Sequence, residues 1–121
     1  MNLQVMPERF SICEIEDIQA VDWQYPHTFV SQMEDVCTLV CPEKAIGQNA
    51  KQKRWRGFYM DDCLDTEVGS GLKKILQVLG DYQINLHLVT TFQTDYLFVP
   101  EEKLEKALLH LKRAGWSIYR K

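Results

Sequence analysis

Three groups of residues could together hold a small charged molecule. Gly69-Ser70-Gly71 stands just before an apolar-periodic run that begins at Leu72. A helix start offers unpaired N–H groups and the positive end of the helix dipole, which suits a carboxylate. Without side chains at Gly69 and Gly71, a ligand can approach that backbone closely. Asp95 supplies an acceptor for an ammonium or guanidinium through a charge-assisted hydrogen bond. Thr90, Thr91 and the backbone around Phe92 add donors and acceptors beside it. In combination these groups fit a zwitterion. Each also has a plainer role: glycines before a helix serve as turns and caps, and an aspartate in a hairpin often bonds its own backbone.

Other chemistry finds less support. Asp61, Asp62 and Asp65 could be combined with His87 or His110, but no nucleophile stands at a recognisable spacing from a base. Enzymatic activity is therefore not expected. Asp61-Asp62 would hold a hard cation only with further oxygen ligands that the sequence does not place. Cys13, Cys37, Cys41 and Cys63 read as reduced thiols, because a chain of 121 residues folds without staples. Cys37 and Cys41 would share one face of a strand about 13 Å apart, too far to bridge. No metal and no cofactor are expected. Trp23, Trp55, Trp116 and Phe58 read as core or interface bulk.

The elements that must position the candidate site follow from periodicity. Ile84, Leu86 and Leu88 alternate with Asn85, His87 and Val89, a period of two that predicts a half-buried strand over Ile84–Thr90. Thr91–Thr94 is a polar break, and Tyr96–Val99 is a second strand. Pro100, Glu101 and Glu102 suit a helix start. Leu72, Ile75, Leu76 and Leu79 predict one amphipathic helix, stopped by Gly80-Asp81; Leu104, Ala107, Leu108 and Leu111 predict another, ended by Gly115. His110 falls on its exposed face. With strands over Trp55–Met60 and Trp116–Tyr119, the order is strand, helix, strand, strand, helix, strand. Right-handed crossovers make this a four-stranded antiparallel sheet with two helices on one face. Ile84–Thr90 then lies at an edge.

The first half is poorer in helix. Leu3–Met6 and Phe10–Ile15 read as short extended segments around Pro7; Asp17–Tyr25 is too short for a firm helix; His27–Met33 and Val36–Cys41 read as strands joined by Glu34-Asp35. Pro42-Glu43 starts a stub of a turn. Shifting the chain by 58 (87 − 29) lays Phe29–Lys44 over His87–Glu102, with Leu39 on Leu97, Pro42 on Pro100 and Glu43 on Glu101. The first half, 1–54, thus reads as a worn copy of the second, 55–121. Neither half has enough helix to cover a sheet alone, so a shared core is expected.

The arrangement over Trp55–Tyr119 resembles an ACT domain. In detail it is similar to one branch, the small bacterial proteins of paired ACT-like halves and the cytosolic arginine sensor of the mTOR pathway. The residues that carry this are Val40-Cys41-Pro42-Glu43, Leu64-Asp65 with Gly69–Leu72, Thr90–Tyr96, and Val99-Pro100-Glu101. The resemblance implies an α+β chain: a ferredoxin-like βαββαβ ACT domain packed with a degenerate, helix-poor ACT-like first half. It also implies a regulatory module that binds a small molecule, with amino acids the usual ligands, and adds Asp65 to the binding residues. ACT-like modules commonly pair edge to edge, so a homodimer through Ile84–Thr90 is expected.

Two further readings are weighed against this one. Strand and helix order of this kind also serves RRM proteins, and Arg56-Gly57-Phe58-Tyr59 echoes part of their aromatic signature, but on the first strand instead of the third. A formal charge of −3 also argues against nonspecific binding to phosphate backbones. A dimerisation module that has lost its ligand is the other alternative. No run approaches the ~20 apolar residues of a membrane helix, and Met1–Phe10 has no basic start followed by an apolar stretch. A cytoplasmic protein without nucleic acid or membrane partners is expected.

Overall fold

A computed structural model describes residues 2–46, 54–61 and 70–120. In chain order the elements are strands β1 (Asn2–Ile15), β2 (Phe29–Gln32), β3 (Cys37–Pro42) and β4 (Trp55–Met60), helix α1 (Ser70–Asp81), strands β5 (His87–Thr90) and β6 (Asp95–Pro100), helix α2 (Leu104–Arg113) and strand β7 (Ser117–Arg120). Short 3-10 turns occupy Ile18–Ala20, Glu43–Ala45 and Glu101–Lys103. The chain forms two compact units, one of Met1–Pro7 with Arg56–Lys121 and one of Glu8–Trp55. Strand β1 contributes residues to both. The first seven residues therefore group with 56–121, whereas the sequence pattern places them in the first half.

In the larger unit the strands run β7-β1-β4-β6-β5. The four-stranded sheet expected from the sequence is thus extended by the start of β1, inserted between β4 and β7. β7 pairs in parallel with it, Asn2 opposite Ser117 and Val5 opposite Arg120. The inserted segment runs opposite to β4. The Asp61 N–H donates to the Asn2 carbonyl at one end (3.0 Å), and the Arg56 guanidinium donates to the Met6 carbonyl at the other (3.0 Å). The reason for the insertion is burial. Leu3 and Val5, two residues apart on one strand face, are fully enclosed with Phe58, Leu97 and Val99 beneath Ile75 and Leu79 of α1 and Leu104, Ala107, Leu108 and Leu111 of α2. Pro7 does not interrupt β1; it is exposed, where a missing N–H costs little.

Both helices are amphipathic as their spacing requires, with one correction. Leu76 is 36% exposed, and Leu72 and Val78 complete the buried side of α1. α1 ends at Asp81, where the sequence predicts, but the residue that caps it is not Gly80: it is Gln83, in the left-handed region at φ 55°. The Gln83 N–H reaches the Gly80 carbonyl (3.1 Å), and the Ile84 N–H reaches that of Leu79 (2.9 Å). This is a Schellman cap with Ile84 buried behind it, so Ile84–Leu86 are not strand. α2 ends in the same way: Gly115 at φ 106°, its N–H on the Lys112 carbonyl and that of Trp116 on the Leu111 carbonyl, both 3.1 Å.

In the smaller unit the strands run β2-β3-β1. The second part of β1 pairs antiparallel with β3, Phe10 opposite Pro42 and Ile15 opposite Cys37. Val21, Leu39 and Cys41 form its small core. The shift of 58 carries β2 onto β5, β3 onto β6 and the Glu43–Ala45 turn onto Glu101–Lys103, residue for residue. The register moves with them: Phe29 faces Val40 as His87 faces Phe98. The Met33 N–H meets the Val36 carbonyl as that of Thr91 meets the Thr94 carbonyl. Pro42 and Pro100 have nearly the same backbone, φ −56° and ψ 139° against φ −55° and ψ 140°.

Candidate functional site

The site expected from the sequence centres on the turn between β5 and β6. The Thr91 N–H donates to the Thr94 carbonyl (3.0 Å), and the Thr91 hydroxyl donates to the same carbonyl (2.6 Å) while accepting the Thr94 N–H (3.1 Å). The Thr91 side chain therefore closes the turn instead of reaching outward. Thr94, absent from the expected set, anchors it: its hydroxyl donates to the Met60 carbonyl at 3.2 Å. Met60 is the last residue of β4, from which the chain departs toward α1. This bond places the turn at the helix-entry end of the sheet. The signal that could have found it is a hydroxyl at the last position of a four-residue turn.

Register then fixes the faces. Asp95 pairs with Thr90, and Leu88 with Leu97. Directly opposed residues share a face, and Asp95 is two residues from Leu97. Asp95 and Thr90 therefore lie on the helix-covered side. Asp95 is half-buried and Thr90 exposed. Phe92, at the tip, is 105% exposed, so its side chain covers nothing within its own unit. Ser70 is the first residue of α1, and the Gly71 position is buried. Asp65 and Gly69 lie outside the described residues. The structure thus brings Thr90, Asp95 and the 91–94 turn together, with Thr91 in a structural part.

The remaining candidates have clear surroundings. His87 faces Phe98 on the side away from the helices, and burial lowers its pKa from 6.5. His110 is not on an exposed face. It is half-buried, its ring stacked on Tyr82 with centroids 3.4 Å apart and planes 12° apart, and its Nδ1 is buried without a hydrogen bond. Of the aromatic residues, Phe58 and Trp116 are core, while Trp23 is well exposed. Cys13, Cys37 and Cys41 are free thiols. Among the described residues no three His, Cys, Asp or Glu side chains are grouped to hold a metal, and no helix is long and apolar enough to cross a membrane. A cavity of about 280 Å³ opens between α1 and Ala114–Trp116, lined by Lys74, Gln77 and Asp81 among others, and includes none of the expected site residues.

The profile of the ACT domain family matches residues 51–113. No curated protein sequence matches significantly. Among solved structures, a protein of Agrobacterium tumefaciens, Atu0741, superposes with a TM-score of 0.83 at 22% identity, over 99% of this chain and 92% of that one. A Vibrio cholerae protein of unknown function, VC0802, described as a possible transport protein, superposes with a TM-score of 0.68 at 18% identity, over 90% of this chain and 85% of that one. At these identities the two structures establish the shared fold.

Proposed function

Because the chain belongs to the ACT domain family, whose members are generally small-molecule regulatory modules, we propose that it senses an amino acid and carries no catalytic activity. The ligand ammonium is held by Asp95, with Thr90 and the 91–94 backbone beside it. The ligand carboxylate meets the backbone that opens α1 at Ser70 and Gly71, and Asp65 and Gly69, which the family resemblance and the glycine pattern single out, are assigned to the same ligand. The observation that carries this reading is the half-buried Asp95 carboxylate on the helix-covered side of the sheet, at the end where β4 leaves for α1. A carboxylate in that setting is poised for a cationic partner.

The test is a thermal-shift screen of the twenty amino acids on the protein and on Asp95→Ala. A ligand present at about 100 times its dissociation constant adds about 2.7 kcal/mol to stability. One or a few amino acids are expected to raise the melting temperature of the parent, and the variant is expected to lose the shift. A shift unchanged in Asp95→Ala removes that residue from the site; no shift with any amino acid removes the ligand class.

We also propose that the molecule works as a cytoplasmic homodimer with a continuous sheet. Strand β5 ends the sheet path, and Leu88 on it and Phe92 in the turn beyond it are exposed. A monomer in light scattering at high concentration would count against this. The residue-for-residue recurrence of the hairpin supports placing the chain in the branch of paired ACT-like halves, the one that includes the arginine sensor.

A further inference from the structure

The smaller unit contains a cavity of about 310 Å³, lined by Cys13, Ile15, Ala20, Val21, Asp22, Thr28, Leu39, Cys41, Ala45 and Ile46. Its origin is visible in the repeat. Adding 58 carries Val21, Leu39, Cys41 and Ile46 onto Leu79, Leu97, Val99 and Leu104, all core residues of the larger unit. There Ala107, Leu108 and Leu111 of α2 close the same side of the sheet. In the smaller unit a 3-10 turn of three residues, Glu43–Ala45, stands where that helical stretch begins. The residues that follow Ile46 in sequence, Gly-Gln-Asn-Ala-Lys-Gln-Lys, include one small apolar side chain, Ala50, and nothing to replace Leu108 and Leu111. The sheet face thus keeps the apolar lining of a core without the leucines that fill one.

The lining has a definite chemistry. Val21, Leu39 and Cys41 are nearly closed to solvent. Burial pushes the Cys41 thiol up to about 11, with nearby Cys13 adding to it, and burial also raises Cys13. Both sulfurs are therefore uncharged at neutral pH and act as apolar wall. The polar groups are Asp22 and Thr28, each oriented by a local bond: Asp22 Oδ1 accepts the Gln24 N–H (3.1 Å), and the Thr28 hydroxyl donates to the Tyr25 carbonyl (2.7 Å). A cavity of ~150 Å³ lined by apolar side chains takes up benzene, and ligand sites begin at roughly 300 Å³.

We propose that this cavity is a second binding site, for a small uncharged molecule with an aromatic or branched aliphatic body and one hydrogen-bond donor that meets Asp22. It lies in the other unit from Asp95 and differs in chemistry: one site takes a zwitterion, the other an apolar body.

Indole serves as the probe, added to the full chain carrying 13C-labelled Ile, Leu and Val methyls. Saturable shifts are expected at Ile15, Val21, Leu39 and Ile46, with Leu104, Leu108 and Leu111 unmoved. Asp95→Ala is expected to leave the indole affinity unchanged, which separates this site from the amino-acid site. Cys41→Met and Ala45→Leu each fill the cavity and are expected to weaken indole at least tenfold. Should both variants fail to fold, dissolved xenon on the parent protein decides, with shifts at the same four residues expected. Shifts spread equally over both cores, binding that survives the filled variants, or xenon shifts absent from the four residues would overturn the proposal.

Discussion

Gly57 on β4 is the tightest test of the packing. A Cβ at this position would stand 2.5 Å from Met6 Cε, 2.7 Å from Phe98 Cε1 and 3.0 Å from Phe98 Cδ1. Carbon atoms in contact lie about 3.5–4.0 Å apart, so Gly57→Ala requires movements of about 1 Å. The Met6 methyl is the free end of a flexible chain and can yield. The Phe98 ring is fully buried, and with Met6 equally enclosed it has little room to turn. Overpacking of this kind costs about 1–3 kcal/mol. Alanine also recovers roughly 0.5–1 kcal/mol of backbone entropy relative to glycine. The net expectation is a loss of about 1–2 kcal/mol. Unfolding entropy near 2.1 cal/mol/K per residue, over 121 residues, is about 0.25 kcal/mol/K. Gly57→Ala is thus expected to lower the melting temperature by about 4–8 °C, read by calorimetry. Combining it with Met6→Ala supplies the room, and the cost of Gly57→Ala in that background should fall by about 1 kcal/mol. An unchanged or raised melting temperature in the single variant, or no coupling to Met6, would refute the reasoning.

Thr94→Val removes the hydroxyl that holds the hairpin turn to Met60; urea titration is expected to show a loss of about 1 kcal/mol, with weaker amino-acid binding in the thermal-shift assay. Gly115→Ala places a side chain at φ 106° and should cost about 1–2 kcal/mol, whereas Gly80→Ala, where a Cβ meets nothing within 4 Å, should stabilise α1 by roughly 0.5–1 kcal/mol. His87 has its pKa lowered by burial from 6.5. The unfolded chain therefore binds this proton more readily, so stability is unaffected above about pH 6.5 and declines as pH falls below it. His87→Gln is expected to flatten that part of a melting-temperature profile against pH, and an identical slope in the variant would exclude the residue.

Much of the larger unit is legible in the sequence. The heptad-like spacing of Leu104, Ala107, Leu108 and Leu111 is a local signal, and all four are buried as that spacing demands. The strand at Trp55–Met60 and the stop at Gly115 are local as well. The repeated Pro-Glu after each hairpin's second strand marked two turns of the same backbone. The early strand start at Ile84 and the glycine stop expected for α1 share a cause. Gln83 occupies the left-handed cap position that glycine favours, one residue before Ile84 is drawn into the core. Nothing in residue type alone announces that exchange. Of the candidate site, Asp95 and Thr90 stand opposite one another in the β5–β6 ladder, which residue type alone did not announce, while Thr91 is part of the turn and Thr94 its anchor.

Amino-acid order by itself determined the helices, the two hairpins and their internal repetition, because each depends on side chains within a few residues of one another. Tertiary structure alone decided that the first residues of β1 enter the sheet beside β4, and that β7 pairs with them in parallel. Asn2 and Ser117 are separated by nearly the whole chain, and Leu3 and Val5 would satisfy any sheet that hid them. Which sheet does so depends on the space left beneath α1 and α2, a quantity that exists only once the helices have packed.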